Sequence, residues 1–216
     1  MHADTFLPQH RQVKPLQFPV PKPTVHATLA VHGMILAFNK PYGILSQFTK
    51  EAPHHRTLAE FGFPPGVYPV GRLDADSEGL LLMTNNGDII NRMMRAANKH
   101  EKEYKVTVDK PVTDEFLKEM AGGVPILDTV TRPCQVEKLG KYKFKIILTQ
   151  GLNRQIRRMC EALGYEVKEL RRVRIMNIEL GNLKPGEYRK VTDQELNELY
   201  ELIRDSKSEP TPWNNN

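Results

Sequence analysis

Two apolar runs, separated by a short polar stretch, constrain this chain more than any other feature. Val67-Tyr68-Pro69-Val70 precedes and Leu80-Leu81-Leu82-Met83-Thr84 follows Gly71-Arg72-Leu73-Asp74-Ala75-Asp76-Ser77-Glu78-Gly79. Short apolar runs bounded by turn residues read as buried strands. Residues 71–79 are therefore predicted to form a tight loop between two core strands. The loop holds Asp74, Asp76 and Glu78 beside Arg72. Its plain meaning is a charged connection. A carboxylate shown next to an arginine on a scaffold-held loop is also a common form of catalytic element. The rest of the chain decides between the two.

Charge is the next constraint. The 216 residues carry a net +5, spread unevenly. Residues 191–216 have six acids against Arg204 and Lys207, a net of −4, which leaves +9 for residues 1–190. A basic body with an acidic end points to a polyanionic partner, nucleic acid above all. Cys134 and Cys160 fall in no CxxC or Cys/His pattern, so no zinc site is expected. Cys160 lies on the apolar face of an expected helix and reads as a buried free thiol. There is no P-loop, no GxGxxG loop and no metal-ligand cluster. No apolar run has transmembrane length and no signal-peptide core is visible, so a cytoplasmic protein without a membrane partner is expected.

Residues 1–32 include Pro8, Pro15, Pro19, Pro21 and Pro23 and are expected to be a disordered arm. Order is expected from residue 33. Met34–Phe38 reads as a strand stopped by Asn39-Lys40-Pro41-Tyr42-Gly43. Thr57–Phe61 reads as a short helix ended by Gly62. Asp88 is expected to cap a helix reaching about Ala97. Lys102–Asp109 alternates Tyr104, Val106 and Val108 against Lys105 and Thr107, a half-buried strand. A helix over Thr113–Ala121 follows, with strands near 129–138 and 141–149. A helix over 153–163 comes next, then strands near 166–170 and 172–180. Thr192 and Glu195 form a capping box opening the last helix. Residues 206–216 read as a flexible tail. Clustered strands with helices placed irregularly argue an α+β fold with a mixed, mainly antiparallel sheet.

The helix over 153–163 carries the second candidate element. Ile156, Met159, Cys160 and Leu163 form its apolar face. At roughly 100° per residue, Arg154, Arg157, Arg158 and Glu161 fall opposite. Clustered arginines suit phosphate or carboxylate in a two-pronged geometry. Arg171, Arg172 and Arg174 add charge downstream. Phosphate contact is the first reading of this segment.

Taken together, Asn39-Lys40-Pro41-Tyr42-Gly43, Gly71-Arg72-Leu73-Asp74, Lys102-Glu103-Tyr104 and Gly151-Leu152-Asn153-Arg154-Gln155-Ile156-Arg157-Arg158-Met159 resemble, in order, the motifs of the RNA pseudouridine synthases. Arg-Gln-Ile-Arg-Arg-Met and Asp-Ala-Asp-Ser-Glu-Gly-Leu-Leu point to the RsuA-like branch acting on ribosomal RNA. The resemblance covers roughly residues 33–191. That branch often carries a small N-terminal RNA-binding domain, which residues 1–32 are too few and too proline-rich to form. The chain is thus most similar to the ribosomal large subunit pseudouridine synthase E group.

The resemblance implies a catalytic domain over 33–205, with two subdomains and the active site in a cleft between them. It implies conversion of a uridine in ribosomal RNA, 23S by this branch, to pseudouridine without a cofactor or metal. A monomer is expected, since that chemistry needs only one active site and no coiled-coil pattern appears. Asp74 matches the essential aspartate, acting as nucleophile or base. Arg157 matches the position expected to pair with Asp74, with Arg154 and Arg158 as neighbours able to take that role. Tyr104 matches the tyrosine that stacks on the target base. Lys40, Arg72, Arg154, Arg158, Arg171 and Arg172 are the residues expected to contact RNA. Two other readings stay open. One is a non-catalytic RNA-binding or ribosome-assembly protein. The other is a nucleoside-directed glycosidase using Asp74 and Glu78.

Overall fold

The computed structural model describes residues 33–95 and 100–204. The expected arm at 1–32 and the tail at 206–216 lie outside the described residues. The helix expected to reach about Ala97 ends at Met94, with Arg95 in extended backbone.

Seven strands form the spine of the sheet: β1 (Ile35–Lys40), β2 (Glu78–Thr84), β3 (Lys102–Val108), β4 (Gln135–Gly140), β5 (Lys143–Leu148), β6 (Val167–Ile175) and β7 (Tyr188–Lys190). Their spatial order is β7-β1-β2-β6-β3-β5-β4. Tyr68–Pro69 adds to β2 and Ile178–Glu179 to β6. Every pairing in this sheet is antiparallel except β2 with β6, where Arg171 lies opposite Glu78 and Arg172 opposite Gly79. The sheet is therefore mixed and mainly antiparallel, as expected for this α+β chain. Among the described residues four helices flank it: α1 (Gly87–Met94), α2 (Asp114–Gly122), α3 (Gln155–Ala162) and α4 (Asp193–Ile203).

The parallel seam divides the molecule into two halves. In the first, β1 and β2 are buried on both faces. Ile35, Ala37, Leu80 and Leu82 pack under α1 and α4. Leu36, Phe38, Leu81 and Met83 pack against Ile44, Leu58 and Val67. Two covered faces explain why these strands read as unbroken apolar runs. In the second half, Val106, Val108, Phe144, Ile146 and Leu148 meet Phe116, Met120, Ile156 and Met159 of α2 and α3. The other face is polar, crossed by the ion pairs Arg174–Glu103 and Lys145–Glu137. One covered face explains the alternation seen in β3 and β5. At the seam Gly79 has φ +102°, and a Cβ there would run into the Arg172 carbonyl oxygen. Only glycine lets β2 and β6 approach this closely.

Local expectations meet varied outcomes. Thr192 and Glu195 form the reciprocal capping box. Thr57 caps a single 3-10 turn over Leu58–Phe61, and Gly62 ends it in the left-handed region. The cap of α1 is Asn86 rather than Asp88, because the Asn86 side chain accepts from the Asp88 N–H. Residues 129–138 are not one strand. Pro125–Ile126 and Thr129–Val130 form a small hairpin before β4. Val167–Ile175 is one strand where a break was expected at 171, since bulges absorb the irregular pattern at Arg172/Arg174. Cys160 is buried and unbridged, and burial pushes its thiol up to about 12. Among the described residues no helix is long and apolar enough to cross a membrane.

Candidate active site

The loop between Tyr68–Pro69 and β2 is held by its backbone. Ser46 Oγ donates to the Leu73 carbonyl at 2.6 Å and accepts from the Leu73 N–H at 3.0 Å. The Gly43 N–H donates to the Ala75 carbonyl at 2.7 Å, and the Ser77 N–H to the Asp74 carbonyl at 3.0 Å. Arg157 Nη2 donates to the Asp76 carbonyl at 2.6 Å. The carbonyls of four successive residues, 73–76, are thus fixed from three directions. The side chain of Asp74 is left to face the cleft.

Its neighbours are fixed too. Arg154 grips both oxygens of Asp76, at 3.0 and 2.8 Å, and Arg157 Nε adds a contact at 3.4 Å. The hydrogen bond from Arg154 is the main reason the Asp76 carboxyl is held below the usual carboxylate range. Arg171 pairs with Glu78 at 2.8 Å. Among the described residues Asp74 has one ion-pair partner, Arg154 Nη1 at 3.5 Å, and it keeps 40% of its side chain exposed.

The arginine helix enters this site in an unexpected register. Arg154 is not in α3 but is its N-cap residue, in the left-handed region at φ +49°. A non-glycine residue there is strained. The strain coincides with the two-pronged grip on Asp76 and the contact with Asp74. Arg157, with 15% of its side chain exposed, turns inward to the loop backbone. So Arg157 holds the loop, and the ion pair with Asp74 falls to Arg154, the neighbour. Arg158 turns the other way, onto the Asn153 carbonyl and side-chain oxygens. Buried Gln155 accepts from the Leu152 N–H at 3.0 Å and closes the turn before the helix. Its place inside the arginine run was the available signal for it.

A cavity of about 430 Å³ opens beside Asp74, within the range of small-ligand pockets. The loop and Arg154 form one wall, and β3 and β6 form the other with Lys102, Tyr104 and Arg172. Tyr104, half-buried, lines the cavity. The Arg172 guanidinium stacks by it at 6.0 Å from the ring centroid. Met94 and His100 also line this cavity, and neither carries a motif in the sequence. Lys102 could have been found, because it continues the inward parity of Tyr104, Val106 and Val108.

The residues expected to meet RNA separate into two groups. Arg72, which donates to Gln47 at 3.3 Å, borders the cavity with Arg154. Arg158 and Arg171 lie toward the surface. Lys40 and Arg172 do not lie on the surface. Lys40 is completely buried, and its ammonium donates to the carbonyls of Pro41 and Ile44 at 2.9 and 2.8 Å. Burial pushes its pKa down to about 8 against the pull of Asp74. An internal ammonium of this kind cannot reach a phosphate and instead organises the loop beneath Asp74. Arg172 is 4% exposed, lines the cavity and donates from Nε to the Leu80 carbonyl. Sequence alone reads both as surface charge, because it does not show which loop or strand covers them.

The arrangement presents one carboxylate to a base-sized cavity with an aromatic ring and several cations. Asp76 and Glu78 are both engaged by arginine. Neither is placed as the second, protonated carboxyl that a glycosidase pair requires.

Residues 34–162 match the family model described as RNA pseudouridylate synthase. The dual-specificity RNA pseudouridine synthase RluF of Escherichia coli strain K12 is 53% identical over 180 residues, 83% of this chain and 61% of that protein. The chain thus spans about three fifths of that relative's length. The ribosomal large subunit pseudouridine synthase E of Xanthomonas campestris is 39% identical over 176 residues, 72% of this chain and 94% of that protein. A crystal structure of a pseudouridylate synthase superposes with TM-score 0.72 at 30% identity, covering 78% of this chain and 74% of that one. With its motifs, fold and cleft in agreement, the chain belongs to the RNA pseudouridylate synthase family.

Proposed function

We propose that this protein isomerises a specific uridine of 23S ribosomal RNA to pseudouridine, without a cofactor, as a cytoplasmic monomer. The observation that carries the reading is Asp74, held by backbone contacts on both sides of it and the carboxylate of its loop least engaged by arginine. Its relatives' names support RNA as the substrate, one of them specifying the large ribosomal subunit.

The chemistry needs no redox partner. The bond from ribose C1′ to N1 breaks, the base turns, and C1′ joins C5. C5 loses a proton and N1 gains one, so composition is unchanged. An ionised Asp74 serves as nucleophile or base. A target base inside RNA structure must leave its stack, at a cost of a few kcal/mol. Stacking on Tyr104 returns about 1–3 kcal/mol of this. Arg72 and Arg154 border the cavity where the flanking phosphates would pass.

The test is to map pseudouridine in an unmodified 23S transcript, and in total RNA from cells lacking the gene, after incubation with the protein. The wild type should add pseudouridine at a defined position, and Asp74→Asn should add none while still binding RNA. Pseudouridine made by Asp74→Asn would sink the reading. Binding by the wild type with no modified base in any RNA would favour the non-catalytic alternative.

A further inference from the structure

The sheet-side wall of the cavity holds two cations, Lys102 and Arg172, that no step above employs. Lys102 and Tyr104 are two residues apart on β3, so they leave the same face of the sheet, and both line the cavity. Arg172 stands opposite Tyr104 on β6. Its Nε donates to the Leu80 carbonyl at 2.7 Å, while its Nη2 is buried without a partner. Lys102 is largely buried, and burial, with Arg172 nearby, pushes its pKa down to about 8. Among the described residues neither cation forms an ion pair with a carboxylate. Buried charges are ordinarily paired, because an unpaired one keeps its desolvation cost. Two together, facing an accessible cavity, make a preorganised site for negative charge.

Position decides which negative charge. Arg154, at 40% exposure, lies where a backbone phosphate can pass. Arg172, at 4%, is reached only by a group that enters the cavity. Under the proposed function that group is the uracil base, whose carbonyl oxygens accept hydrogen bonds. We propose that Lys102 and Arg172 hold the base through its carbonyl oxygens and stabilise the negative charge it acquires during the reaction. When the C1′–N1 bond breaks heterolytically, the electron pair stays on the base and spreads to its carbonyl oxygens. When Asp74 instead adds to the base, the displaced pair likewise moves toward a carbonyl oxygen. The two cations serve either route and consume nothing. The charge is discharged when C5 bonds to C1′; C5 then loses its proton and N1 gains one.

This inference rests on the pseudouridine synthase reading, and the experiment separates the two. Arg172 also holds Leu80, so Lys102 is the residue to change. Lys102→Met and Lys102→Arg are compared with the wild type on unmodified 23S transcript, by single-turnover rate and by RNA Kd. Lys102→Met should lose about 100-fold or more in rate, as removal of one preorganised donor does. Its Kd should stay within about threefold, and Lys102→Arg should recover most of the rate. A Lys102→Met rate within about threefold of wild type overturns the inference while leaving the enzyme reading intact. A loss found in Kd instead of rate also overturns it, making Lys102 a phosphate contact. A wild type that makes no pseudouridine removes the enzyme reading, and the inference with it.

Discussion

The two walls of the cleft handle charge in opposite ways. On the loop wall Asp76 is matched by Arg154 and Arg157, and Glu78, at the start of β2, pairs with Arg171 of β6. On the sheet wall Lys102 and Arg172 face the cavity with no carboxylate partner among the described residues. Asp74 stands at the meeting of the two, with one contact at 3.5 Å. The difference teaches a division of labour. Matched charges fix positions, while the charges left over are those able to meet a substrate. These ion pairs are largely solvent-exposed and contribute little net stability, so the arginines on the loop wall are better understood as locating the loop than as strengthening the fold.

The comparison breaks most completely at the seam joining the walls. Gly79→Ala should place a methyl against the Arg172 backbone and force an unfavourable φ. A loss of about 3 kcal/mol or more is expected, with pseudouridine formation abolished. Denaturant unfolding and the activity of whatever folds will check this. Next comes a loop-wall anchor. Arg157→Ala frees the Asp76 carbonyl, and a displacement of the catalytic group by about 1 Å can cost roughly 100-fold in rate. Single-turnover kinetics should show that loss with RNA affinity kept.

A smaller effect separates two lysines whose pKa values are both pushed down to about 8. A lysine depressed in the folded state costs stability below its folded pKa, where both states carry the proton. The cost fades between pH 8 and the unfolded value near 10.5, as the folded state releases its proton first. Lys102→Met removes this cost and no hydrogen bond. It should stabilise the protein by about 1–2 kcal/mol at pH 7, with Tm rising a few degrees, and the gain should vanish above about pH 10. Lys40→Met gains similar relief but strips the Pro41 and Ile44 carbonyls of their donor, at about 1–3 kcal/mol each, so its Tm at pH 7 should not rise. A rise in both variants would erase the distinction between a structural and a spare cation. The smallest effect belongs outside both walls. Arg158→Ala should change stability by less than about 0.5 kcal/mol and weaken RNA binding a few-fold, lowering the salt slope by about one.

What could be read from the sequence follows the same division. The loop was legible because Gly71 and Gly79 bracket it and apolar strands flank it, and the helix starts because Thr113 and Thr192 cap through local contacts. Roles that depend on where a helix starts were not. Treating Arg154 as helical put it on one face with Arg157 and Arg158. In the structure Arg154 lies before the helix, and the three arginines diverge to Asp76, the loop backbone and Asn153. Lys40 and Arg172 read as surface cations because their covering elements are distant in the chain. The carbonyl that Arg172 meets, Leu80, is 92 residues away. No periodicity encodes such a partner.

The most direct test sets the loop's two aspartates against each other. Asp74→Asn and Asp76→Asn differ in position by two residues and remove the same charge. With unmodified 23S transcript under single-turnover conditions, Asp74→Asn should form no pseudouridine. Asp76→Asn should stay measurably active, slowed by about 100-fold through a looser loop. Pseudouridine formed by Asp74→Asn, with Asp76→Asn silent, would contradict the account by making the carboxylate gripped by arginine the one that acts.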